Sequence, residues 1–110
     1  MALVAVQRFE VWLVNLDPTQ GGEINKTRPW VVLSPDEMNR YLRTVTIAAL
    51  TNSRRDYPSR VDCTFQDKES QVALDHIRSV DKTRLVRRLG VLPEAATQEV
   101  CNRLQEMFQY

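Results

Sequence analysis

Arginine is the residue type that says most about the chemistry open to this sequence. Of its 15 basic side chains, 12 are Arg. The planar guanidinium binds a phosphate or a carboxylate through two parallel hydrogen bonds, which Lys cannot do. The 15 positive charges nearly cancel against 14 negative ones, yet residues 40–60 and residues 78–88 each carry a net charge of +4. These two basic blocks either bind an anionic partner or form solvated faces of surface elements.

Histidine and cysteine, two residue types that often serve in proton transfer and metal binding, are few in this sequence. His76 is the only histidine, which excludes an acid–base mechanism with two histidines. Imidazole changes its charge between pH 5 and pH 8, so His76 is suited to carry one proton, and a structural role on a short strand is the alternative. Cys63 and Cys101 fit no metal-ligand spacing, so we expect both to serve as small, buried apolar side chains. A disulfide between them is the alternative.

The elements that must position these side chains are mostly short strands. Apolar runs rich in β-branched and aromatic residues predict strands over residues 9–16, 30–33, 44–50, 60–65, 71–74 and 77–80. Two polar connections, residues 17–28 and 51–59, lie between them, and connections of that length in a small domain are often functional. Trp12 and Trp30 fall within apolar strands and are expected in the core.

Two helices are predicted besides the strands. Ser34 as N-cap, followed by Pro35 and Glu37, predicts a short helix that reaches Leu42. Pro93 and Glu94 open a longer, amphipathic helix. Its apolar stripe consists of Val100, Cys101, Leu104, Met107 and Phe108. The sequence therefore predicts a mainly β domain of short strands closed by one C-terminal helix.

Length and composition limit the class of protein. The 110 residues fit one domain over residues 1–110 with enough core to fold without disulfides or metal. With 43% apolar and 26% charged residues, the chain is neither disordered nor fibrous. No window approaches the ~20 apolar residues of a membrane span, and the apolar start lacks the basic segment of a signal peptide. We therefore expect a cytoplasmic protein with no membrane partner.

A series of short motifs follows in order from about residue 8 to residue 106. They are Val11-Trp12-Leu13-Val14 with Leu16-Asp17-Pro18-Thr19, Gly22-Glu23, Lys26-Thr27-Arg28-Pro29, Val31-Val32-Leu33-Ser34-Pro35, Ala49-Leu50-Thr51, Asp75-His76-Ile77-Arg78-Ser79-Val80-Asp81, and Pro93-Glu94. Together they resemble the MazF/PemK family of toxin–antitoxin ribonucleases, the mRNA interferases.

That resemblance implies a fold, an activity and partners. The fold is a small SH3-like β-barrel with a C-terminal helix, acting as a homodimer. Members of the family cut single-stranded RNA at short preferred sequences without a metal or another cofactor. A cognate antitoxin of the MazE type silences them by laying its flexible tail in the RNA groove.

The resemblance also implies three catalytic residues. Arg28 occupies the position of the family's essential Arg, and because Arg is effectively never deprotonated, we expect it to stabilise the reacting phosphate. Thr51 occupies the position of a catalytic Thr that binds a phosphate oxygen or positions the 2′-hydroxyl; bonding to local backbone is the alternative. Glu23 matches a loop Glu that acts as general base or holds Arg28 in place.

The sequence departs from the PemK branch of the family. That branch combines an Asp at the position of Asp75 with an Arg two residues earlier and a His in the first loop. Here those two positions hold Ala73 and Gly22, so the Arg and Thr version of the site is favoured. His76 replaces a Gln that commonly follows the Asp.

Seven residues are expected to bind RNA. Tyr57 follows two arginines in the second polar connection and is suited to stack on an unpaired base, although a tyrosine there could equally cap the barrel. The full set is Lys26, Arg54, Arg55, Tyr57, Asp75, His76 and Arg78.

Two other functions remain open at this stage. A toxin of the related CcdB type shares the fold but poisons DNA gyrase. Gyrase poisons carry a Trp near the tip of the last helix, whereas this chain ends Met107-Phe108-Gln109-Tyr110. The other possibility is an inactive member that only binds an antitoxin or RNA. Loss of cleavage in Arg28→Ala and Thr51→Ala with RNA binding retained distinguishes the ribonuclease from both.

Overall fold

The structure is a computed structural model that describes residues 5–16 and 27–110. Its elements are β1 (Glu10–Asn15), β2 (Thr27–Val32), α1 (Asp36–Tyr41), β3 (Thr44–Thr51), β4 (Arg60–Phe65), β5 (Lys68–Asp81), a 3₁₀ turn (Lys82–Arg84), β6 (Leu85–Val91) and α2 (Glu94–Met107). The strands pair antiparallel into one curled six-stranded sheet, a half-barrel, in the order β4-β5-β3-β2-β1-β6. The mainly β fold with a C-terminal helix is therefore confirmed.

Both faces of the sheet are buried because alternate residues of its strands belong to two apolar clusters. Val31 and Ala48 point to the face that α2 covers, where they pack with Val100. The other face is built around Trp12 and Trp30, whose exposed fractions are 6% and 8%. Both tryptophans lie in the core, as predicted. The polar ends of the strands on this second face carry the candidate site described below.

β5 is one strand of 14 residues, not the two short strands predicted over residues 71–74 and 77–80. On β3, Ala48 is paired with Ile77 and the adjacent Ala49 with Ala73. Residues 74–76 are thus extra residues on β5 and form a bulge, a feature that re-aims side chains and is common beside active sites. Asp75 and His76 lie in this bulge, which is why the apolar pattern is interrupted there.

The predicted cap of the short helix is wrong. Pro35 occupies the N-cap position of α1, with no side-chain hydrogen bond to the helix. The Ser34 hydroxyl instead donates to Oδ1 of the buried Asn39 at 2.6 Å and accepts the N–H of Thr46. Ser34 therefore fastens α1 to β3.

Strand β6 was not predicted, because its sequence is basic and its apolar residues do not alternate with polar ones. It pairs with β1 across two irregularities in register. Arg88 of β6 donates from Nε to Oε2 of the buried Glu10 at 2.8 Å. This ion pair between a buried carboxylate and a half-exposed arginine, rather than an apolar stripe, marks where β6 joins the sheet.

The C-terminal stripe and the cysteines differ in part from expectation. In α2, Val100 is fully buried, whereas Met107 and Phe108 are 41% and 74% exposed. Cys63 and Cys101 are both free and half-buried, so the disulfide left open above is absent. Burial raises the pKa of Cys63 to about 11, which keeps this thiol protonated at neutral pH. Within the described ranges, no helix has the length and apolar character needed to cross a membrane.

Candidate active site

A row of polar side chains crosses four strands at one end of the sheet. Thr51 on β3 pairs with Gln71 on β5, and Gln71 pairs with Asp62 on β4. The antiparallel register of β2 and β3, continued two residues beyond its last pair, sets Arg28 opposite Thr51. Because directly opposite residues share a face and lie within side-chain contact range, the strands bring these four polar groups together.

The next row of the sheet opens a cavity beside the polar row. It runs from Arg60 on β4 through Ala73 and Ala49 to Trp30 on β2. The two alanines are too small to fill the space between the long side chains on either side. The result is a cavity of about 210 Å³ with alanines in its floor, lined by all four of these residues.

Arg28 and Thr51 both line this smaller cavity, together with His76. Arg28 is exposed, and in the part of the chain that the structure describes no carboxylate lies within ion-pair distance of its guanidinium. The Thr51 hydroxyl accepts the N–H of Ser53 at 3.0 Å, which is the local backbone bond considered above. That bond uses an oxygen lone pair and leaves the hydroxyl proton to be donated into the cavity.

His76 reaches the smaller cavity from the bulge of β5, beside a carboxylate that is held in place. Arg60 donates from Nε and Nη2 to the two oxygens of Asp75, at 2.9 and 3.2 Å. Ser59 donates its hydroxyl to the same carboxylate at 2.9 Å. The Arg60 bonds above all, and then Ser59, hold the pKa of Asp75 down at about 2. The ionised Asp75 lies 3.5 Å from Nε2 of His76.

A larger cavity of about 630 Å³ adjoins the first, and Arg55 and Arg60 line both. Arg54 and Tyr57 also line it. The larger cavity therefore brings together three of the predicted RNA-binding residues, Arg54, Arg55 and Tyr57, which lie within four positions of one another in the polar connection between β3 and β4.

Other predicted site residues are not brought to either cavity. Glu23 and Lys26 lie outside the described residues. Arg78 is paired with Ile47 in the sheet and lines neither cavity. Asp75 also lines neither, because its carboxylate is bound by Arg60; it positions neighbours and does not face the cavity. Across residues 5–16 and 27–110, no three His, Cys, Asp or Glu side chains form a group able to hold a metal ion.

Sequence reasoning missed two residues that organise the site. The Arg60 side chain is only 8% exposed, although arginine at the start of a strand is usually solvated. The buried Gln71 donates to Asp62 Oδ1 at 2.8 Å and binds the backbone of Arg55 through both ends of its amide. The signal available was the alternation of Arg60, Asp62 and Thr64 along β4, which marks one polar face.

Comparison with known proteins gives a consistent result. Residues 7–108 match the family of PemK-like, MazF-like toxins of type II toxin–antitoxin systems. The endoribonuclease MazF of Staphylococcus epidermidis is 36% identical over 105 residues, which cover 90% of this chain and 88% of the relative.

Solved structures with the same fold include two toxin–antitoxin complexes. One is an endoribonuclease with its cognate antitoxin from a mycobacterial species, with a TM-score of 0.80, 25% identity and 93% of each chain covered. Another is the MazE–MazF complex of Deinococcus radiodurans, with a TM-score of 0.76, 27% identity, and 94% of this chain and 96% of the other covered.

Proposed function

Because the chain belongs to the family of PemK-like, MazF-like toxins of type II toxin–antitoxin systems, we propose that it is the toxin of such a system. It is an endoribonuclease that cleaves single-stranded RNA at preferred sequences. The observation that carries this proposal is the smaller cavity, where Arg28 and Thr51 meet beside His76. An arginine with no carboxylate partner among the described residues, next to a hydroxyl donor, suits a reacting phosphate.

The reaction uses the substrate's own 2′-hydroxyl as nucleophile. The 2′-oxygen forms a bond to phosphorus, and the bond from phosphorus to the 5′-oxygen of the next nucleotide breaks. The products are a 2′,3′-cyclic phosphate and a free 5′-hydroxyl. Arg28 stabilises the extra negative charge of the phosphorane, and Thr51 donates to one of its oxygens. Such preorganised donors are usually the largest single contribution to the rate.

Two protons must move in this reaction. The 2′-hydroxyl loses one to a base, and the departing 5′-oxygen gains one from an acid. His76 is one carrier, because it lines the cavity and imidazole exchanges protons near neutral pH. The resemblance gives Glu23 one of two roles: the general base that takes the proton of the 2′-hydroxyl, or the group that holds Arg28 in place.

The experiment that tests the proposal maps cleavage ends on a long mixed RNA in excess EDTA. We expect discrete cuts with 5′-hydroxyl ends, which polynucleotide kinase labels without prior phosphatase treatment. Arg40→Ala serves as matched control, because Arg40 is exposed on α1 and lines neither cavity. Intact RNA, or cuts that carry 5′-phosphates, would refute the proposed chemistry.

The proposed partners follow from the same surface. A cognate antitoxin of the MazE type places an acidic tail over the arginines that bind RNA, since both ligands present anions to the same guanidinium groups. We expect RNA and antitoxin to compete for these arginines. The affinity of each should fall as the salt concentration rises. Simultaneous saturating binding of both would contradict this arrangement.

The assembly is proposed to be a homodimer of one-domain chains, residues 1–110, in the cytoplasm where RNA is available. Exposed apolar side chains of α1 and of the end of α2 support a dimer. Met38 and Phe108 are 44% and 74% exposed, and they line an apolar groove of about 270 Å³ with Ile77 and Leu104. Sedimentation equilibrium should give twice the chain mass, and a monomer at micromolar concentration would overturn this.

A further inference from the structure

The larger cavity beside the cleavage site has the features of a second ligand site. It continues from the smaller cavity across Arg55 and Arg60, which line both. Four arginines and two aspartates line it, so its net charge is positive. A chain of nucleotides that places one phosphate in the smaller cavity must continue in some direction, and this cavity is directly adjacent.

Tyr57 offers a flat platform within the larger cavity. Tyr57 as a whole is 48% exposed, and the Arg60 guanidinium lies against its ring, 5.4 Å from the ring centroid. Arg60 cannot move freely, because Asp75 binds it through two hydrogen bonds and the Ser53 carbonyl accepts a third. The backbone of Tyr57 is fixed by a turn in which its carbonyl accepts the N–H of Arg60 at 3.1 Å. The ring is therefore held with one face covered and part of its surface open.

Arg55 is fixed at the boundary of the two cavities. The buried Gln71 accepts the backbone N–H of Arg55 at 3.0 Å and donates to its carbonyl at 3.2 Å. Arg54 forms ion pairs with carboxylates nearby. The Arg55 guanidinium instead donates to the Ser53 hydroxyl and the Arg54 carbonyl, both neutral acceptors. Among the described residues its positive charge is thus not neutralised by a direct carboxylate contact.

We propose that the larger cavity binds the nucleotide that flanks the scissile phosphate of single-stranded RNA. Its base stacks on the open face of Tyr57, and the phosphate that links it to the cleavage cavity binds Arg55. Asp56 on the same lining is suited to accept a hydrogen bond from the amino group of a base, a donor that the side chains of an acidic peptide lack. The inference rests on the proposed function, since it extends the same RNA site.

The test measures binding of a fluorescent single-stranded 12-mer of mixed sequence in which every 2′-hydroxyl is replaced by fluorine, so that it cannot be cleaved. Stacking on one aromatic ring is worth about 1–3 kcal/mol per base. Tyr57→Ala should therefore raise Kd by roughly 5- to 150-fold, and Tyr57→Phe, which keeps the ring, should stay within about twofold of wild type. Arg55→Gln should reduce the slope of log K against log salt by about 0.7.

A second measurement avoids variants. The same 12-mer carrying 5-iodouridine, irradiated on the wild-type protein, should crosslink to the peptide that contains Tyr57. Tyr57→Ala binding with unchanged affinity, or crosslinks confined to other peptides, would overturn the inference. So would a Tyr57→Ala variant that loses affinity for a poly-glutamate peptide but not for the oligonucleotide, which would assign the cavity to a protein partner.

The ribonuclease proposal and the proposal for the larger cavity can fail separately. The 12-mer cannot be cleaved, so it reports binding without reporting catalysis. A wild-type protein that binds the 12-mer through Tyr57 but leaves RNA intact refutes the ribonuclease and keeps the second site. A wild-type protein that cuts RNA while Tyr57→Ala binds the probe normally refutes only the second site.

Discussion

The family resemblance nominated Arg28 and Thr51, and the sheet explains how two residues 23 positions apart come to line one cavity. They lie at the facing ends of β2 and β3, where the antiparallel register sets them opposite each other. Their short motifs, Arg28-Pro29 and Ala49-Leu50-Thr51, are local in the sequence, so the resemblance could nominate them without knowledge of the fold. Arg60 and Gln71 could not be nominated, because their importance comes from burial, and burial of a charged or amide side chain depends on partners from other strands.

Thr51 should contribute to catalysis through its hydroxyl as a hydrogen-bond donor, and not only through the shape of its side chain. Thr51→Val keeps the shape but removes the donor, and we expect the cleavage rate at saturating RNA to fall about 10²-fold, as for other lost donors to a charged transition state. Thr51→Ser keeps the hydroxyl and should retain most of the rate. If Val and Ser variants cleave equally fast under single-turnover conditions, the hydroxyl has no such role.

Asp75 should make stability depend on acid pH. Its pKa of about 2 in the folded protein lies below the ordinary value of 3.8, so its contribution is fully present above pH 4 and is lost as the pH falls toward 2. Asp75→Asn should lower the free energy of unfolding at pH 7 by ~1 kcal/mol, after allowance for solvent screening. Urea titrations should show this difference shrinking between pH 5 and pH 2; parallel curves would show that the Arg60 contact does not stabilise the fold.

At the scale of elements, the two alanines of the cavity floor open the smaller cavity, and the bulge of β5 brings His76 to its lining. A strand pattern predicts which residues share a face, but not that Ala49 and Ala73 pair side by side, because pairing between distant strands is not encoded locally. The bulge is also non-local: three extra residues on β5 are recognisable only once β3 is beside them. For the same reason, the sequence predicted two strands where one bent strand exists.

Filling the floor of the smaller cavity should block catalysis without unfolding the protein. Ala49→Leu places a branched side chain between Trp30 and Ala73, and we expect kcat/KM for RNA to fall at least 10-fold through steric exclusion. The melting temperature should change little, because the new side chain enters open space. Ala95→Leu, on an exposed position of α2, is the matched control. A fully active Ala49→Leu variant would place the chemistry elsewhere.

The hairpin between β4 and β5 stores strain that one substitution should relieve. Phe65 and Lys68 are the last pair of this hairpin, so the turn has two residues, Gln66 and Asp67, with φ values of 52° and 65°. Left-handed backbone costs a non-glycine residue about 1 kcal/mol, and such turns favour Gly at the second position. Asp67→Gly should raise the free energy of unfolding by about 0.5–1 kcal/mol.

Chemical denaturation provides the check on the hairpin, with Asp67→Ala as control. Alanine removes the same carboxylate but keeps a Cβ, so it should bring no gain. Equal stabilisation by Ala and Gly would assign the effect to charge, since removal of the carboxylate is the only change that the two variants share.

At the scale of the whole molecule, near-neutral charge and RNA binding are compatible because the charges are segregated. Of the block at residues 40–60, Arg54, Arg55 and Arg60 line the two adjoining cavities. The block at residues 78–88 contributes differently, since Arg88 is engaged with the buried Glu10. The charge pattern left open whether each block binds an anion or forms a solvated face, and only the fold distinguishes arginines that line the cavities from arginines that hold the sheet together.

The central role in the proposed mechanism belongs to Arg28, as the group that stabilises the reacting phosphate. The measurement that tests it is the single-turnover cleavage rate of Arg28→Ala, with affinity for the uncleavable 12-mer measured in parallel. We predict a rate about 10²- to 10³-fold below wild type, with Kd changed by less than about 10-fold and the Arg40→Ala control unaffected. Cleavage by Arg28→Ala at a rate within about threefold of wild type would contradict the account.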